Sequence, residues 1–266
     1  MPDASKGVTM AWKRWPVWRR GPVWRRAPVW RRGRVWLLVV LAALPIAAAA
    51  VVAVAFPSVA ATTCPTCYGL ERLAPGVYAE SGLPPDRRRQ VVSTVEEAER
   101  RVRDFYGGRQ ASPRILACLG DRCYRRIGGG GERGVAVLNR AVMLSPDGVD
   151  PVIASHEMSH VELHARLVTD DAVPQWFDEG LAVLVSGDPR YLAPETAADR
   201  CLVSTDATLP VTLDAWLRAA GADARTYAEA ACRVSRWVTA SGGSHAVLDL
   251  VRRLNAGEAF GAVTKM

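Results

Sequence analysis

The chain has 266 residues, 49% hydrophobic and 23% charged, with a formal net charge of +7; that length suits one medium domain or two small ones with a real core. The charge is unevenly placed. Ten Lys or Arg against the single acid Asp3 put +9 on residues 1–36, so the other 230 residues carry a net −2, which leaves no basis for a nucleic-acid-binding domain because no positive excess remains to contact phosphates.

Residues 16–36 repeat a hexad, Pro16-Val17-Trp18-Arg19-Arg20-Gly21, twice more in full and once in the degenerate Arg34-Val35-Trp36. A proline in every repeat denies a helix, and six residues are too few to build a solenoid unit. Two readings of this basic tail, residues 1–34, stay open: Arg and Trp lying on anionic lipid, or a loosely constrained extension that only sets orientation. Residues 35–61 then run without a charge, longer than the roughly 20 residues a spanning helix needs and than the ~7–15 of a signal-peptide core. The expectation is a single membrane span with the N-terminus cytoplasmic and the rest extracytoplasmic. The small residues Ser58-Val59-Ala60 leave signal cleavage as the alternative.

All six cysteines follow that segment: Cys64, Cys67, Cys118, Cys123, Cys201 and Cys232. An even count in an oxidising compartment reads as disulfides. Fifteen pairings are possible, and near neighbours give 64–67, 118–123 and 201–232. Cys64-Pro65-Thr66-Cys67 also has the spacing of a redox pair or half of a zinc site, but it lacks the strand–helix context of a thioredoxin-like motif.

Residues 62–85, containing Pro and Gly, read as a stem, and residues 86–266 as the functional domain. A helix is predicted from Arg87 to Phe105 behind an Asp86 cap, with Val91, Val95, Ala98, Val102 and Phe105 on one stripe. Ile115–Leu119 reads as a short strand. The run Gly128–Gly131 lacks the Lys-Ser/Thr and the following helix of a phosphate cradle, so it reads as a flexible turn between strands. Val135–Leu144 has strand character. Asp150-Pro151 is a helix start, cap then proline, and the helix it opens carries His156-Glu157-Met158-Ser159-His160. Pro174 opens another, Gln175–Val185. Three more helical patterns follow at about 212–220, 226–240 and 245–255.

On a helix, positions i and i+4 share a face, so His156 and His160 can aim both imidazoles at one ion while Glu157 reaches a water beside it. This is the His-Glu-x-x-His pattern of zinc hydrolases. Two histidines leave such a zinc one protein ligand short. His164 stands about 6 Å further along the axis, too far to share the ion. Glu179 is the better candidate: the helix runs on about 12 Å past His160, a short loop reverses the chain, and about 8 Å of the next helix brings Glu179 back beside the pair. Asp178 points about 100° away from Glu179 and suits orienting a ligand instead.

His156-Glu157-Met158-Ser159-His160, eighteen intervening residues, and Glu179 within Trp176-Phe177-Asp178-Glu179-Gly180-Leu181-Ala182 together resemble the gluzincin zinc peptidases, particularly the small peptidase MA-like bacterial domains. The resemblance covers roughly residues 85–260. It implies an α+β, zincin-like fold, with a small mixed sheet and an active-site helix followed by a helical C-terminal half. It also implies Zn2+ held by His156, His160 and Glu179, with Glu157 as general base and a peptide or protein as substrate. Tyr227 is the position matched to the family's oxyanion-stabilising tyrosine; a core tyrosine is the competing reading. One departure is Val183, which stands where an aspartate would support the histidines one turn after Glu179. The activity expected is metal-dependent peptide hydrolysis. The alternatives are a catalytically silent scaffold of the same fold and a redox protein using Cys64 and Cys67.

Overall fold

The computed structural model describes residues 37–39, 41, 44, 51, 54–204 and 208–266. Residues 37–39, 41 and 44, in a unit ending at Ala48, are helical and exposed. The basic repeat tail lies outside the described residues. Among the described residues no helix is long and apolar enough to cross a membrane. This overturns the expected transmembrane span over 35–61 and the extracytoplasmic placement that rested on it. Much of that stretch lies outside the described residues, and its C-terminal end does not continue as one helix. Phe56 leaves helical geometry (φ −134°, ψ 66°), and Pro57, fixed in φ, opens a separate short helix, α1 (Pro57–Thr63). Ala61 of α1 is fully buried and Val59 packs beside it. Those residues belong to the fold.

A second correction follows directly. The expected stem contributes two strands, β1 (Leu70–Ala74) and β2 (Val77–Glu80), paired antiparallel. After the long helix α2 (Pro85–Tyr106) come β3 (Arg114–Ala117), a short helix α3 (Asp121–Arg126), β4 (Gly134–Val137) and β5 (Ala141–Leu144). The five strands form one mixed sheet in the order β1-β2-β3-β5-β4: β2, β3 and β5 are parallel, and β4 returns antiparallel at the edge. The fold is therefore α+β with a small mixed sheet.

The stretch Val135–Leu144, expected as one strand, is a hairpin. Leu138 and Asn139 both take positive φ (50° and 51°), and Arg140 N–H donates to Val137 O at 3.0 Å. Two consecutive left-handed residues turn the chain, Arg140 completes a three-residue link between Val137 and its partner Ala141, and asparagine tolerates the left-handed conformation well. The glycine run leads from α3 into β4 rather than joining two strands. A side chain on Gly129 would meet the Tyr124 ring at 2.4 Å, so this segment is a close-packed connection.

Alternation along the strands sorts the core into two faces. Ile115, Ala117, Val142 and Leu144 face α2 and the helices that follow, while Leu116, Met143 and Cys118 face α1 and α3. Each large aliphatic side chain removed from water here contributes about 1.5–3 kcal/mol. The helical half comprises α4 (Pro151–Arg166), α5 (Gln175–Ser186), α6 (Leu213–Ala222), α7 (Arg225–Ala240), α8 (His245–Asn255) and α9 (Phe260–Thr264). Asp150 caps α4, its carboxylate accepting from Val152 N at 2.8 Å and Ile153 N at 3.4 Å. Gly180 lets α5 and α7 cross closely: a Cβ there would stand 2.6 Å from the Ala230 carbonyl oxygen. Phe177 completes this junction, with its ring centroid 5.5 Å from Trp237 and 5.1 Å from Phe260. Three disulfides, Cys64–Cys67, Cys118–Cys123 and Cys201–Cys232, match the near-neighbour pairing.

Candidate metal centre

Helices α4 and α5 meet along the faces that carry the motif residues. His164 and His160 reach Asp178, and His156 reaches Glu179. Contacts that advance on one helix while receding on the other mark antiparallel packing. The α4 face behind the histidines is anchored by Met158, Val161 and Leu163, all buried. Glu162 fastens α4 to the chain before β3, accepting from Gln110 N at 2.7 Å and Ala111 N at 2.9 Å, with Arg166 as its counter-ion.

His156, His160 and Glu179 converge. One donor atom from each lies within 4.8 Å of the others. His156 Nε2 is 3.4 Å and His160 Nε2 is 3.7 Å from Glu179 Oε2. With bonds of about 2.0–2.2 Å to zinc, donors at two corners of a tetrahedron stand about 3.3–3.6 Å apart. The two separations to Glu179 Oε2 lie in or close to that range, and two imidazoles with a carboxylate are a donor set that suits zinc. Gln175 Nε2 donates to Glu179 Oε1 at 3.1 Å, which leaves Oε2 as the oxygen turned to the rings.

Asp178 sets the orientation. Its Oδ1 accepts from His160 Nδ1 at 2.7 Å and its Oδ2 from His164 Nε2 at 2.9 Å. With the proton on Nδ1, His160 keeps the lone pair of Nε2 for a cation, the arrangement that metal-binding histidines commonly have. Burial alone would raise the Asp178 pKa, but the neighbouring His160 charge and the hydrogen bonds from both histidines hold it well below the usual carboxylate range. Burial likewise works against a charged His160; Asp178 and Glu179 outweigh it and push its pKa up to about 10. In the absence of a cation the ring takes a proton in its place. His164 is thus a partner of Asp178, and its other nitrogen lies 3.3 Å from the exposed Asp170.

Glu157 opens onto a cavity of about 210 Å³ lined also by His156, Tyr227, Tyr191, Arg190, Arg133 and Gly134. Desolvation raises its pKa and outweighs the neighbouring histidines, and Glu179 adds to the rise. The fit against β4 is tight, since a side chain on Gly134 would sit 2.8 Å from Glu157 Cγ. Tyr227 reaches this cavity from α7, with its ring 6.4 Å from that of His156. It is held between Tyr191, stacked at 5.1 Å, and the buried Trp216, edge-on at 5.0 Å. Burial, followed by the charge of Glu179, raises its pKa, so the hydroxyl keeps its proton.

His156, Glu157, His160, Glu179 and Tyr227 therefore gather at one place, with Asp178 behind His160. Tyr191, Arg190, Arg133 and the supporting Gln175 were not among them. The first two lie in the irregular segment after α5, and Arg133 precedes β4, so no periodicity marked them. No protein-family profile, characterised protein or solved structure matches the chain.

Proposed function

We propose that the chain is a zinc-dependent peptidase of the gluzincin type on a zincin-like fold. The observation that carries this reading is the convergence of the His156, His160 and Glu179 donors, all within 4.8 Å of one another, with Glu157 opening onto the adjoining cavity. When bound, zinc would polarise the scissile carbonyl and make a water acidic near neutral pH. His156, His160 and Glu179 would hold it, with Asp178 keeping His160 in the ligating tautomer. Glu157 takes the proton of the attacking water on its carboxylate and delivers it to the departing amine, a task suited to a carboxylate of raised pKa. Tyr227, protonated at neutral pH, donates its hydroxyl hydrogen to the oxygen on which negative charge develops. β4, at the sheet edge beside Glu157, offers main-chain groups to an extended peptide.

A silent scaffold of the same fold would have no use for a carboxylate of raised pKa opening onto the cavity. The test is metal analysis and peptide hydrolysis on wild type, Glu157→Gln and His160→Ala. Glu157→Gln keeps about one equivalent of zinc and loses hydrolysis by at least about a hundredfold; His160→Ala loses the zinc. Undiminished hydrolysis in Glu157→Gln rejects the mechanism.

A further inference from the structure

The cavity beside the histidines is lined by two arginines that the steps above leave unused. Arg133 and Arg190 line it together with His156, Glu157 and Tyr227. They arrive from different parts of the chain, one just before β4 and the other just after α5.

Arg190 is locked in place. Its Nε stands 2.9 and 3.0 Å from the two oxygens of Asp188, its Nη2 bonds the same carboxylate, and its guanidinium lies 5.0 Å over the Tyr191 ring. Asp188 is only 1% exposed and also accepts from the Arg190 main-chain N–H at 2.9 Å. Among the described residues, Nη1 of Arg190 is left without a partner.

Arg133 is anchored by its main chain. Its carbonyl accepts from Ser145 N at 2.8 Å, and Gly148 passes so close that a Cβ there would lie 1.8 Å from that oxygen. Its guanidinium has no carboxylate within ion-pair distance among the described residues. The acid next to it, Glu132, is already occupied by the Tyr124 hydroxyl at 2.9 Å and by Gly130 N at 2.8 Å. Both bonds go to Oε1 of Glu132, which lines the same cavity, and neither of them uses a donor of Arg133 or Arg190.

We propose that Arg133 and Arg190 form a carboxylate-binding subsite, so that the peptide taken by this cleft carries an acidic group beside the bond presented to the histidines. A planar guanidinium matches a carboxylate in two-point geometry, and the charge strengthens each hydrogen bond. The cavity is smaller than the ~300–1,000 Å³ of typical ligand pockets, which restricts it to a single residue-sized group. The carboxylate is either an Asp or Glu side chain or the free C terminus of the peptide. The proposal rests on the peptidase reading for its setting, but binding alone can test it.

The probes are N-acetylated, alanine- and leucine-based hexapeptides in which one Asp is walked along the sequence. Matched Asn peptides, and free and amidated C termini, complete the set. Calorimetry on the zinc-loaded full-length Glu157→Gln protein reads binding without turnover. The expected result is that one Asp position, or the free C terminus, binds about tenfold tighter than its neutral counterpart, with the advantage shrinking at high salt. Asp against Asn, and free against amidated ends, tell the two sources apart. Arg133→Gln removes the preference. Arg190→Lys keeps a charge against buried Asp188, so the segment still folds, but it weakens the preference by losing the planar fork. Equal binding of acidic and neutral peptides, no binding of any, or a preference that survives Arg133→Gln overturns the proposal. Hydrolysis of the same peptides by wild type is scored separately. An acidic preference in binding with no cleavage of any peptide leaves the subsite standing and defeats the peptidase reading.

Discussion

Replacing Asp178 by asparagine separates the charge of this residue from its shape. Its two oxygens are occupied by His160 Nδ1 at 2.7 Å and His164 Nε2 at 2.9 Å, and it is 6% exposed. An asparagine can still accept from His160 through its carbonyl oxygen. Its amide then donates to His164 Nε2, which requires the His164 proton on Nδ1, where Asp170 stands ready at 3.3 Å. Every hydrogen bond has a partner in the variant, and only the negative charge behind His160 is lost. Removing such outer support of a metal ligand typically weakens metal affinity 10–100-fold, about 1.4–2.8 kcal/mol at 1.4 kcal/mol per decade. The assay is competition for zinc against a chelator of known affinity, with circular dichroism confirming an unchanged fold. Asp178→Ala serves as the contrast: it leaves two imidazole N–H groups without an acceptor, at about 1–3 kcal/mol each, and lowers thermal stability as well as affinity. An Asp178→Asn affinity within threefold of wild type would refute the argument that this carboxylate tunes His160 by its charge.

Three further outcomes can be measured on the same material. Gly180→Ala forces α5 and α7 apart, because the new Cβ would fall 2.6 Å from the Ala230 carbonyl; a loss of about 1–3 kcal/mol is expected in urea unfolding, and an unchanged midpoint would show that the crossing is looser. The metal-free protein should depend on pH through His160, whose folded pKa of about 10 lies above its ordinary 6.5. A raised pKa contributes stability that is complete below about 6.5 and fades as pH climbs towards 10, so melting in a chelator declines across that window, and His160→Asn shows a smaller decline, the remainder coming from His164, whose pKa the hydrogen bond to Asp178 also raises. Replacing Cys201 and Cys232 by serine frees the segment carrying Arg190 and Tyr191 from α7. Opening a bridge across 31 residues costs about 3–4 kcal/mol in the chain-entropy account. Zinc stoichiometry stays at one, because none of His156, His160 and Glu179 lies on the freed segment.

Local rules that act through a fixed period were readable from the chain. The three helical patterns at about 212–220, 226–240 and 245–255 became Leu213–Ala222, Arg225–Ala240 and His245–Asn255, because an apolar residue every three or four positions has one way to bury itself. The Asp150-Pro151 cap works through chemistry confined to three residues, and it too is present. Misreadings cluster where tertiary partners decide. Leu70–Ala74 and Val77–Glu80 are too short to show a pattern, and they become strands because β3 is available for pairing. Val135–Leu144 looked continuous because nothing in Leu138-Asn139 marks a turn as strongly as an Asn-Gly pair does. The uncharged run ending at Ala61 was judged by length, a criterion blind to the packing of Val59 and Ala61 against the sheet.

The centre itself divides in the same way. His156, Glu157 and His160 are tied by helical geometry within five residues, so their common face follows from the chain alone. Glu179 required one further step, the return of a second helix, and the 3.4 and 3.7 Å separations agree with it. Asp178 was readable as an orienting residue for the same reason: adjacent helical positions diverge by about 100°, so if one faces the ion its neighbour can only reach the flank of a ring. Arg190 and Tyr191 had no such geometry behind them. They reach the cavity because Asp188, buried just past the end of α5, holds Arg190, and because Tyr191 stacks on Tyr227. The ion pair joins residues only two apart but depends on the burial of Asp188, and the ring stack joins Tyr191 to Tyr227 across 36 residues, so no periodic pattern encodes either. It follows that groups able to bind a metal can be found from spacing within helices, whereas groups able to choose a substrate must be found from contacts. In this protein the two arginines proposed for that role reach one cavity from sequence positions on either side of the metal-binding motif.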